Sequence, residues 1–309
     1  MASWVVLGVP TSAGTHHAGM DQAPHRLRAA GLVDRLRAVS PVTDAGDLPR
    51  TPYRPQGVGR PYRDGGRVAQ INRRVAERVA DVVTGDDCLL VLGGDCTITL
   101  GVVAGLLSRW PNLGVVYLDG DVDLSTPGDT ESGILDTMVS AHLLGLVDTP
   151  VSRIGPRFPL LGAEDILYFG YHPQELTPAE EGWLGTHPVR HWSVTRILDD
   201  PTAAARRAAA VMGDRPVLVH FDVDVIDSGD APLGNYPHFQ GGLSLDQAVA
   251  CLRAFVHGCP VVGVVITELN PHHDGDGRLL PRFINRLVKA LREIRPVHGG
   301  GRKGSFDGA

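Results

Sequence analysis

Residues 115–123 read VVYLDGDVD and residues 217–224 read VLVHFDVD, and these two stretches decide the fold. Each begins with a short apolar run and ends abruptly in aspartates. A run that is apolar on both faces is typical of a central strand in a parallel sheet. Comparable runs of Val, Leu and Ile occur at residues 4–9, 88–92, 114–118, 166–169, 216–221 and 261–266.

Helical periodicity fills the stretches between these runs. In residues 66–83, five branched apolar side chains recur every three or four positions and form one stripe of a helix. Residues 202–212, 245–256 and 281–294 show similar spacing. Strands and helices therefore alternate, which predicts the α/β class with a mostly parallel sheet.

The composition of the chain excludes several classes of function. The chain has 309 residues, 29 Lys and Arg against 35 Asp and Glu, and a formal net charge of −6, which argues against nucleic acid as a partner. Its mean hydropathy is −0.02, and no run approaches the roughly 18 apolar residues of a membrane span. The first ten residues do not resemble a signal peptide, and the four cysteines lack metal-site or redox spacing. We expect a cytoplasmic, reduced protein without a membrane partner.

Glycine and proline are spread along the chain and mark no linker, so residues 1–309 are interpreted as a single domain. Residues 40–62 contain five prolines and are expected to be a long irregular connection. The glycine-rich tail from about residue 299 is expected to be flexible.

Acidic residues gather where the two deciding strands end. Asp119, Asp121 and Asp123 follow the first, and Asp222 and Asp224 follow the second. In open parallel sheets, ligands bind beyond the carboxyl ends of the strands. One such aspartate alone is more often a turn or helix-cap residue. Two clusters repel each other unless cations lie between them, which favours a site for hard divalent ions such as Mg²⁺ or Mn²⁺.

Two further strand ends offer polar groups. Cys96 follows Gly93 and Gly94 and is either a buried packing residue or a thiolate ligand. Glu268 is either a cap or surface acid or a partner for a cationic substrate group. His220 shares a strand face with Asp222, so it is either a core histidine or a ligand or proton shuttle.

At these positions the chain resembles the ureohydrolase family, which includes arginase, agmatinase and formimidoylglutamase. Four segments match the family's motifs in order and with compatible spacing between about residues 5 and 288. They are Gly93-Gly94-Asp95-Cys96, Asp119-Gly120-Asp121-Val122-Asp123, Phe221-Asp222-Val223-Asp224 and Glu268-Leu269-Asn270-Pro271.

The resemblance implies a three-layer α/β/α sandwich with a central, mostly parallel sheet and two divalent ions, Mn²⁺ first. A hydroxide bridging the ions would attack the guanidinium carbon and release urea or a substituted urea. Asp123 would relay a proton and Glu268 would anchor the guanidinium. By the same resemblance, the protein is a homo-oligomer, a trimer or hexamer, acting on a small guanidino compound. The implied ligands are Cys96, Asp119, Asp123 and Asp222 for one ion and Asp119, Asp121, Asp222 and Asp224 for the other.

The sequence departs from the family pattern at positions that matter for chemistry. Cys96 and Asp121 stand where the family has histidines, and the thiolate shifts metal preference toward Zn²⁺ or Fe²⁺. Asp136 stands where arginase has a proton-shuttling histidine. Thr130 and Ser132 keep hydroxyls suited to substrate binding, and Glu175 lies where arginase has a substrate-reading aspartate.

A cysteine at the first ligand position resembles the branch that hydrolyses N-hydroxyarginine in antibiotic pathways, which points to an amidinohydrolase of specialised metabolism. Two alternatives stay open. One is a catalytically inactive family member that serves as a binding or structural subunit. The other is hydrolysis of a formimino or amide group at the same centre.

Overall fold

The structure is a computed structural model that describes residues 3–55, 63–130, 132–239, 241–292 and 294. All strands of this part of the chain belong to one sheet, and every neighbouring pair is parallel. The strands are β1 Trp4–Gly8, β2 Val42–Asp47, β3 Cys88–Leu92, β4 Gly114–Leu118, β5 Ile166–Phe169, β6 Arg190–Trp192, β7 Val217–Asp222 and β8 Val261–Thr267. Their order across the sheet is β2-β1-β3-β8-β7-β4-β5-β6. The expected α/β class with a parallel sheet is therefore confirmed.

Helices connect the strands. They are α1 Ala23–Ala29, α2 Leu32–Arg37, α3 Gly65–Val82, α4 Ile98–Leu107, α5 Val139–Leu143, α6 Pro178–Thr186, α7 Val194–Ile197, α8 Pro201–Met212, α9 Leu245–Gly258 and α10 Leu279–Leu291. Short 3₁₀ turns lie at Met20–Gln22, Asp136–Met138, Ala163–Asp165, Val223–Val225 and Pro271–His273. Several helices begin where the sequence supplies a cap: Ser244 accepts a hydrogen bond from the backbone N–H of Gln247 at the start of α9.

Two buried cores cover the two faces of the sheet. Alternate residues of each strand point to opposite faces, so Val219 and Phe221 of β7 pack with α8, α9 and α10, whereas Leu218 packs with α3 and α4. The helices thus form a layer on each side, which is the predicted three-layer arrangement.

The apolar runs predicted the central strands well. The bounds of β3, β4 and β5 agree with the predicted runs; β1 and β8 differ from them by one residue at one end, and β7 by one residue at each end. Two edge strands were missed: β2, which lies inside the stretch interpreted as an irregular connection, and β6. The prediction for residues 40–62 is therefore wrong at 42–47, because a half-buried edge strand does not need an apolar run.

The four central strands in the sheet are neighbours: β3, β8, β7 and β4. All four run parallel, so their carboxyl ends meet along one edge of the molecule. Among the described helices, none has both the length and the hydrophobicity for crossing a membrane. The interpretation of residues 1–309 as one domain stays a prediction, and the tail from residue 299 lies outside the described residues.

Candidate metal centre

The ends of the four central strands surround one cavity of about 300 Å³. Cys96 lies on the turn after β3, and Glu268 follows β8. In the described part of the chain, the cavity lining contains neither lysine nor arginine but eight acidic side chains: Asp119, Asp121, Asp123, Asp136, Glu175, Glu180, Asp224 and Glu268. The structure thus brings together the carboxylates that the sequence placed at separate strand ends.

One group of possible metal ligands is fully enclosed. Cys96, Asp119, His220 and Asp222 are buried and each offers one ligand atom within 4.8 Å of the others. The Cys96 thiol donates to Asp222 Oδ2 at 2.6 Å, and His220 Nε2 lies 3.1 Å from Asp119 Oδ2. Burial raises the pKa of the Cys96 thiol and also raises that of Asp222.

Asp119 and Asp222 each also shape the backbone. Asp119 Oδ1 accepts a hydrogen bond from the N–H of Asp121 at 2.7 Å, and Asp222 Oδ1 accepts one from the N–H of Asp224 at 2.9 Å. Their Oδ2 atoms contact His220 and Cys96 instead. The turn interpretation of these aspartates is therefore confirmed, and their second oxygens lie in the cluster and leave the metal-ligand interpretation a prediction.

The His220 imidazole is fixed by a hydrogen bond at Nδ1 and by stacking on a neighbouring ring. Its Nδ1 lies 2.8 Å from the hydroxyl of Thr99, and its ring stacks on Tyr117 with 4.0 Å between centroids. Burial lowers the pKa of His220 to about 3, so its imidazole is neutral at physiological pH. The side chain has no solvent exposure. This geometry resembles a ligand more than a shuttle that must reach solvent.

A second group lies nearer the mouth of the cavity. His238 Nε2 lies 3.8 Å from Asp121 Oδ2 and 3.9 Å from Asp224 Oδ2, and one ligand atom of each lies within 4.8 Å of the others. Glu175, predicted to bind substrate, lines the cavity, and its Oε1 lies 3.0 Å from His238 Nδ1. Sequence reasoning noted His238 only as one of several nearby histidines, because it belongs to the loop before α9 and to no motif.

Asp123 and Glu268 adopt unusual backbone conformations. Their φ angles are 50° and 61°, and Asp64 is the one other non-glycine residue in the described chain with positive φ. Such conformations cost about 1–3 kcal/mol and cluster at functional sites. The Tyr117 hydroxyl donates to Asp123 Oδ2, and Glu268 Oε1 accepts from the backbone N–H of Cys96 at 3.0 Å. The fold therefore holds both carboxylates in place against local preference.

Some of the other predicted site residues line the cavity and one does not. Asp136 and Ser132 line the cavity, whereas Thr130 is not among the lining residues and its hydroxyl accepts from the N–H of Gly133 at 3.0 Å. Thr130 also lies 3.2 Å from the Ser132 hydroxyl. Any substrate contact of Thr130 would therefore pass through Ser132.

Burial and mutual repulsion disfavour the ionised forms of the cavity carboxyls. The pKa values of Asp119, Asp123, Asp224 and Glu268 are raised, first by burial and then by neighbouring acids. Burial also raises the pKa of Asp121, to about 6. Divalent cations would offset this repulsion, and carboxylate, imidazole and thiol donors are ligands that such ions accept. The residues present therefore fit a centre for two ions.

Comparison with known proteins agrees with this architecture. Residues 2–291 match the model of the arginase family. The hepatic arginase of Aquarana catesbeiana is 30% identical over 312 residues, which cover 97% of this chain and 93% of that protein. Arginase-1 of Oryctolagus cuniculus is 28% identical over 292 residues, covering 92% and 89%. The crystal structure of arginase from Bacillus cereus superposes with a TM-score of 0.85 at 24% identity, covering 96% of this chain and 99% of that one. The chain belongs to the arginase family.

Proposed function

We propose that this protein is a metal-dependent hydrolase that cleaves a C–N bond of a guanidino or amidino compound and releases urea or a substituted urea. The observation that carries the proposal is the convergence of Cys96, five aspartates and Glu268 on one cavity at the central strand ends. Membership of the arginase family supports the reaction class. A role in specialised metabolism and a cytoplasmic, homo-oligomeric state remain parts of the proposal.

Two divalent cations would be held by the residues of the two groups. Cys96, Asp119, Asp123 and Asp222 would bind one ion, and Asp119, Asp121, Asp222 and Asp224 the other, with His220 beside the first. When bound, the ions would supply a water molecule acidic enough to attack an amidino carbon. Mn²⁺ is the expected ion, and the sulfur of Cys96 makes Zn²⁺ or Fe²⁺ the alternatives.

Acidic residues of the cavity would bind and orient the substrate. A guanidinium group is cationic and planar, and Glu268 can pair with it through charge-assisted hydrogen bonds. Among the described residues, the lining contains no lysine or arginine to oppose this charge, and burial lowers the pKa of its one histidine, His16. Ser132 and Glu175, at the same cavity, would contact the remainder of the substrate.

Asp123 and Asp136 are the proposed proton carriers. In the metal-free protein, burial raises the pKa of both carboxyls. With an ion bound, Asp123 would be ionised and would take up a proton only from the attacking water, whereas Asp136 is not among the proposed ligands and could hold a proton of its own. Asp123 would pass its proton to the leaving amine, oriented by the Tyr117 hydroxyl. Asp136 is half-buried and lines the cavity, which suits exchange of protons with solvent.

Metal content and turnover together test the proposal. Elemental analysis of the purified protein after loading with Mn²⁺, Zn²⁺ or Fe²⁺ should give about two ions per chain. Urea release should then be measured with L-arginine and agmatine, hydroxyurea release with N-hydroxyarginine, and formamide release with a formimino compound in parallel.

Urea release that Asp222→Asn abolishes and Asp214→Asn preserves would support the proposal, since Asp214 is exposed. Two bound ions without turnover of any compound would favour the inactive binding or structural subunit. Release of formamide alone would favour the formimino alternative. A chain that retains only trace metal under every condition would overturn the metal-dependent reaction.

A further inference from the structure

His238 has a buried ring nitrogen with no hydrogen-bond partner. The residue is 2% exposed, and its Nε2 atom faces Asp121 Oδ2 at 3.8 Å and Asp224 Oδ2 at 3.9 Å. Both distances exceed the range of a hydrogen bond. A buried polar atom without a partner in the protein is normally satisfied by a water molecule or an ion, and the groups that face Nε2 distinguish the two.

The hydrogen bond at the other ring nitrogen determines whether Nε2 is a donor or an acceptor. His238 Nδ1 lies 3.0 Å from Glu175 Oε1, and a carboxylate oxygen can only accept, so Nδ1 carries the hydrogen. In the neutral imidazole, Nε2 then presents its lone pair to two carboxylates. Three acceptors facing one another attract a cation, and a carboxylate behind the distal nitrogen is the usual support of a metal-bound histidine.

The ring is also held in place by stacking. The His172 ring lies parallel to that of His238, with 4.4 Å between centroids and 3° between planes, and the Tyr236 ring contacts it edge-on at 5.4 Å. The loop between β7 and α9 therefore delivers the imidazole to a fixed position. Two ligand atoms at about 2.1 Å from one ion and about 90–110° apart lie about 3.0–3.5 Å from each other. The separations of His238 Nε2 from Asp121 Oδ2 and Asp224 Oδ2, 3.8 and 3.9 Å, exceed this range by less than about 1 Å, which side-chain rotation can supply.

We propose that His238 is a ligand of the divalent cation held by Asp121 and Asp224, with Glu175 as the residue that orients it. This inference rests on the proposed metal centre and does not depend on turnover. It gives Glu175 a positioning role in addition to any substrate contact. It also supplies a neutral donor to a group that otherwise consists of carboxylates.

Metal binding rather than activity tests the proposal. Titration of metal-free protein with Mn²⁺ by calorimetry should resolve two sites in the wild type. His238→Ala should weaken the second site by about 10- to 100-fold and leave the first site unchanged, which also shows that the variant is folded. Co²⁺ absorption spectra should lose the bands of one of two ions. His187→Ala removes an exposed histidine and is the matched control.

Two more variants sharpen the test. Glu175→Gln, which removes the carboxylate behind Nδ1, should weaken the same site by less than His238→Ala does. His238→Gly should regain the second Co²⁺ band when free imidazole is added. Wild-type affinity at both sites in His238→Ala, or a wild type that binds fewer than two ions, would overturn the proposal. Two ions in the wild type, one lost in His238→Ala, and no urea from any substrate would support His238 as a ligand while contradicting the proposed hydrolysis.

Discussion

Three features of Glu268 are energetically unfavourable in the folded protein. The residue is buried, its φ angle is 61°, and its pKa is raised by burial and by the acids around it. Its backbone N–H donates to the carbonyl of Gly94 at 2.9 Å, and its Oε1 accepts from the N–H of Cys96. These two hydrogen bonds tie the end of β8 to the turn after β3. A carboxylate on a residue held in one position by two hydrogen bonds is suited to bind the cationic group of a substrate.

Replacing Glu268 by glutamine should leave the fold and the metal content intact but weaken substrate binding in the transition state. A hydrogen bond to a charged group contributes about 1.5–3 kcal/mol, which corresponds to a loss of about 10- to 100-fold in kcat/KM. The measurement is urea release with the best guanidino substrate. Glu181→Gln, on the exposed side of α6, should have no effect, and equal losses in both variants would refute the assignment.

Cys96 provides a second prediction for a single residue. Burial raises the pKa of its thiol, so binding a metal through sulfur requires loss of a proton that is hard to remove. Cys96→His offers a neutral imidazole and should raise Mn²⁺ affinity relative to Zn²⁺ by about tenfold. Competition dialysis of the two ions measures this ratio. Cys251→Ala, which removes a buried thiol of α9, should leave the ratio unchanged. An unchanged ratio in Cys96→His would mean that residue 96 is not a ligand.

The elements that place these residues were predictable where the sequence has a strong pattern. Branched apolar runs that end in glycine or aspartate gave β3 and β4, and with them the positions of Cys96 and Asp119. α4 was not predicted, because its ten residues are all buried and Thr99 is the one polar side chain among them, so the segment carries no helical stripe. The polar edge strand β2 has no apolar run.

The candidate site was predictable to a similar degree. Residues that directly follow central strands could be assigned, since parallel strand ends share one edge. His238 could not be assigned, because it reaches the cavity from a loop whose path no periodic pattern describes. Its relation to Asp121 and Glu175 exists only in three dimensions.

At the turn after β3, Gly94 allows two segments to approach each other. A Cβ atom on Gly94 would lie 1.8 Å from the carbonyl oxygen of Thr11, so the backbone itself would have to move. Gly94→Ala should destabilise the protein by about 3 kcal/mol in urea unfolding and displace Cys96 and Glu268, with loss of metal binding. Gly66→Ala, in α3 with open space around its Cβ position, should change stability by less than about 1 kcal/mol. Similar behaviour of the two variants would contradict the importance of this approach.

At the scale of the whole molecule, eight of the 35 acidic residues line one cavity, where their mutual repulsion opposes folding. Several buried carboxyls share one cavity, and their raised pKa values mean that the metal-free native state holds protons that the unfolded chain releases. The free energy of unfolding contributed by these groups therefore falls as pH rises from the ordinary aspartate value toward the raised one. Bound cations should make the ionised carboxylates stabilise the folded state, because each ion attracts the negative charges around it.

Asp121→Asn isolates this effect. The pKa of Asp121 rises from 3.8 to about 6, so its contribution to stability declines between about pH 4 and pH 6 in the metal-free protein. With a chelator present, the Asn variant should gain unfolding temperature relative to the wild type across this window. With saturating Mn²⁺ at pH 7.5, the wild type should be the more stable protein, since ion binding at 100 times its Kd contributes about 2.7 kcal/mol.

Thermal unfolding of both proteins at pH 4.5, 5.5, 6.5 and 7.5, with chelator and with Mn²⁺, measures the difference in unfolding temperature between the Asn variant and the wild type. We expect this difference to be positive with chelator and negative with Mn²⁺. Asp214→Asn, which removes an exposed aspartate that does not line the cavity, is the matched control. A difference between wild type and Asp121→Asn that keeps one sign in both conditions would mean that Asp121 does not contact the cation. Opposite signs in the two conditions would instead identify what neutralises the Asp121 carboxyl: a proton in the chelated protein and a metal ion in the loaded one.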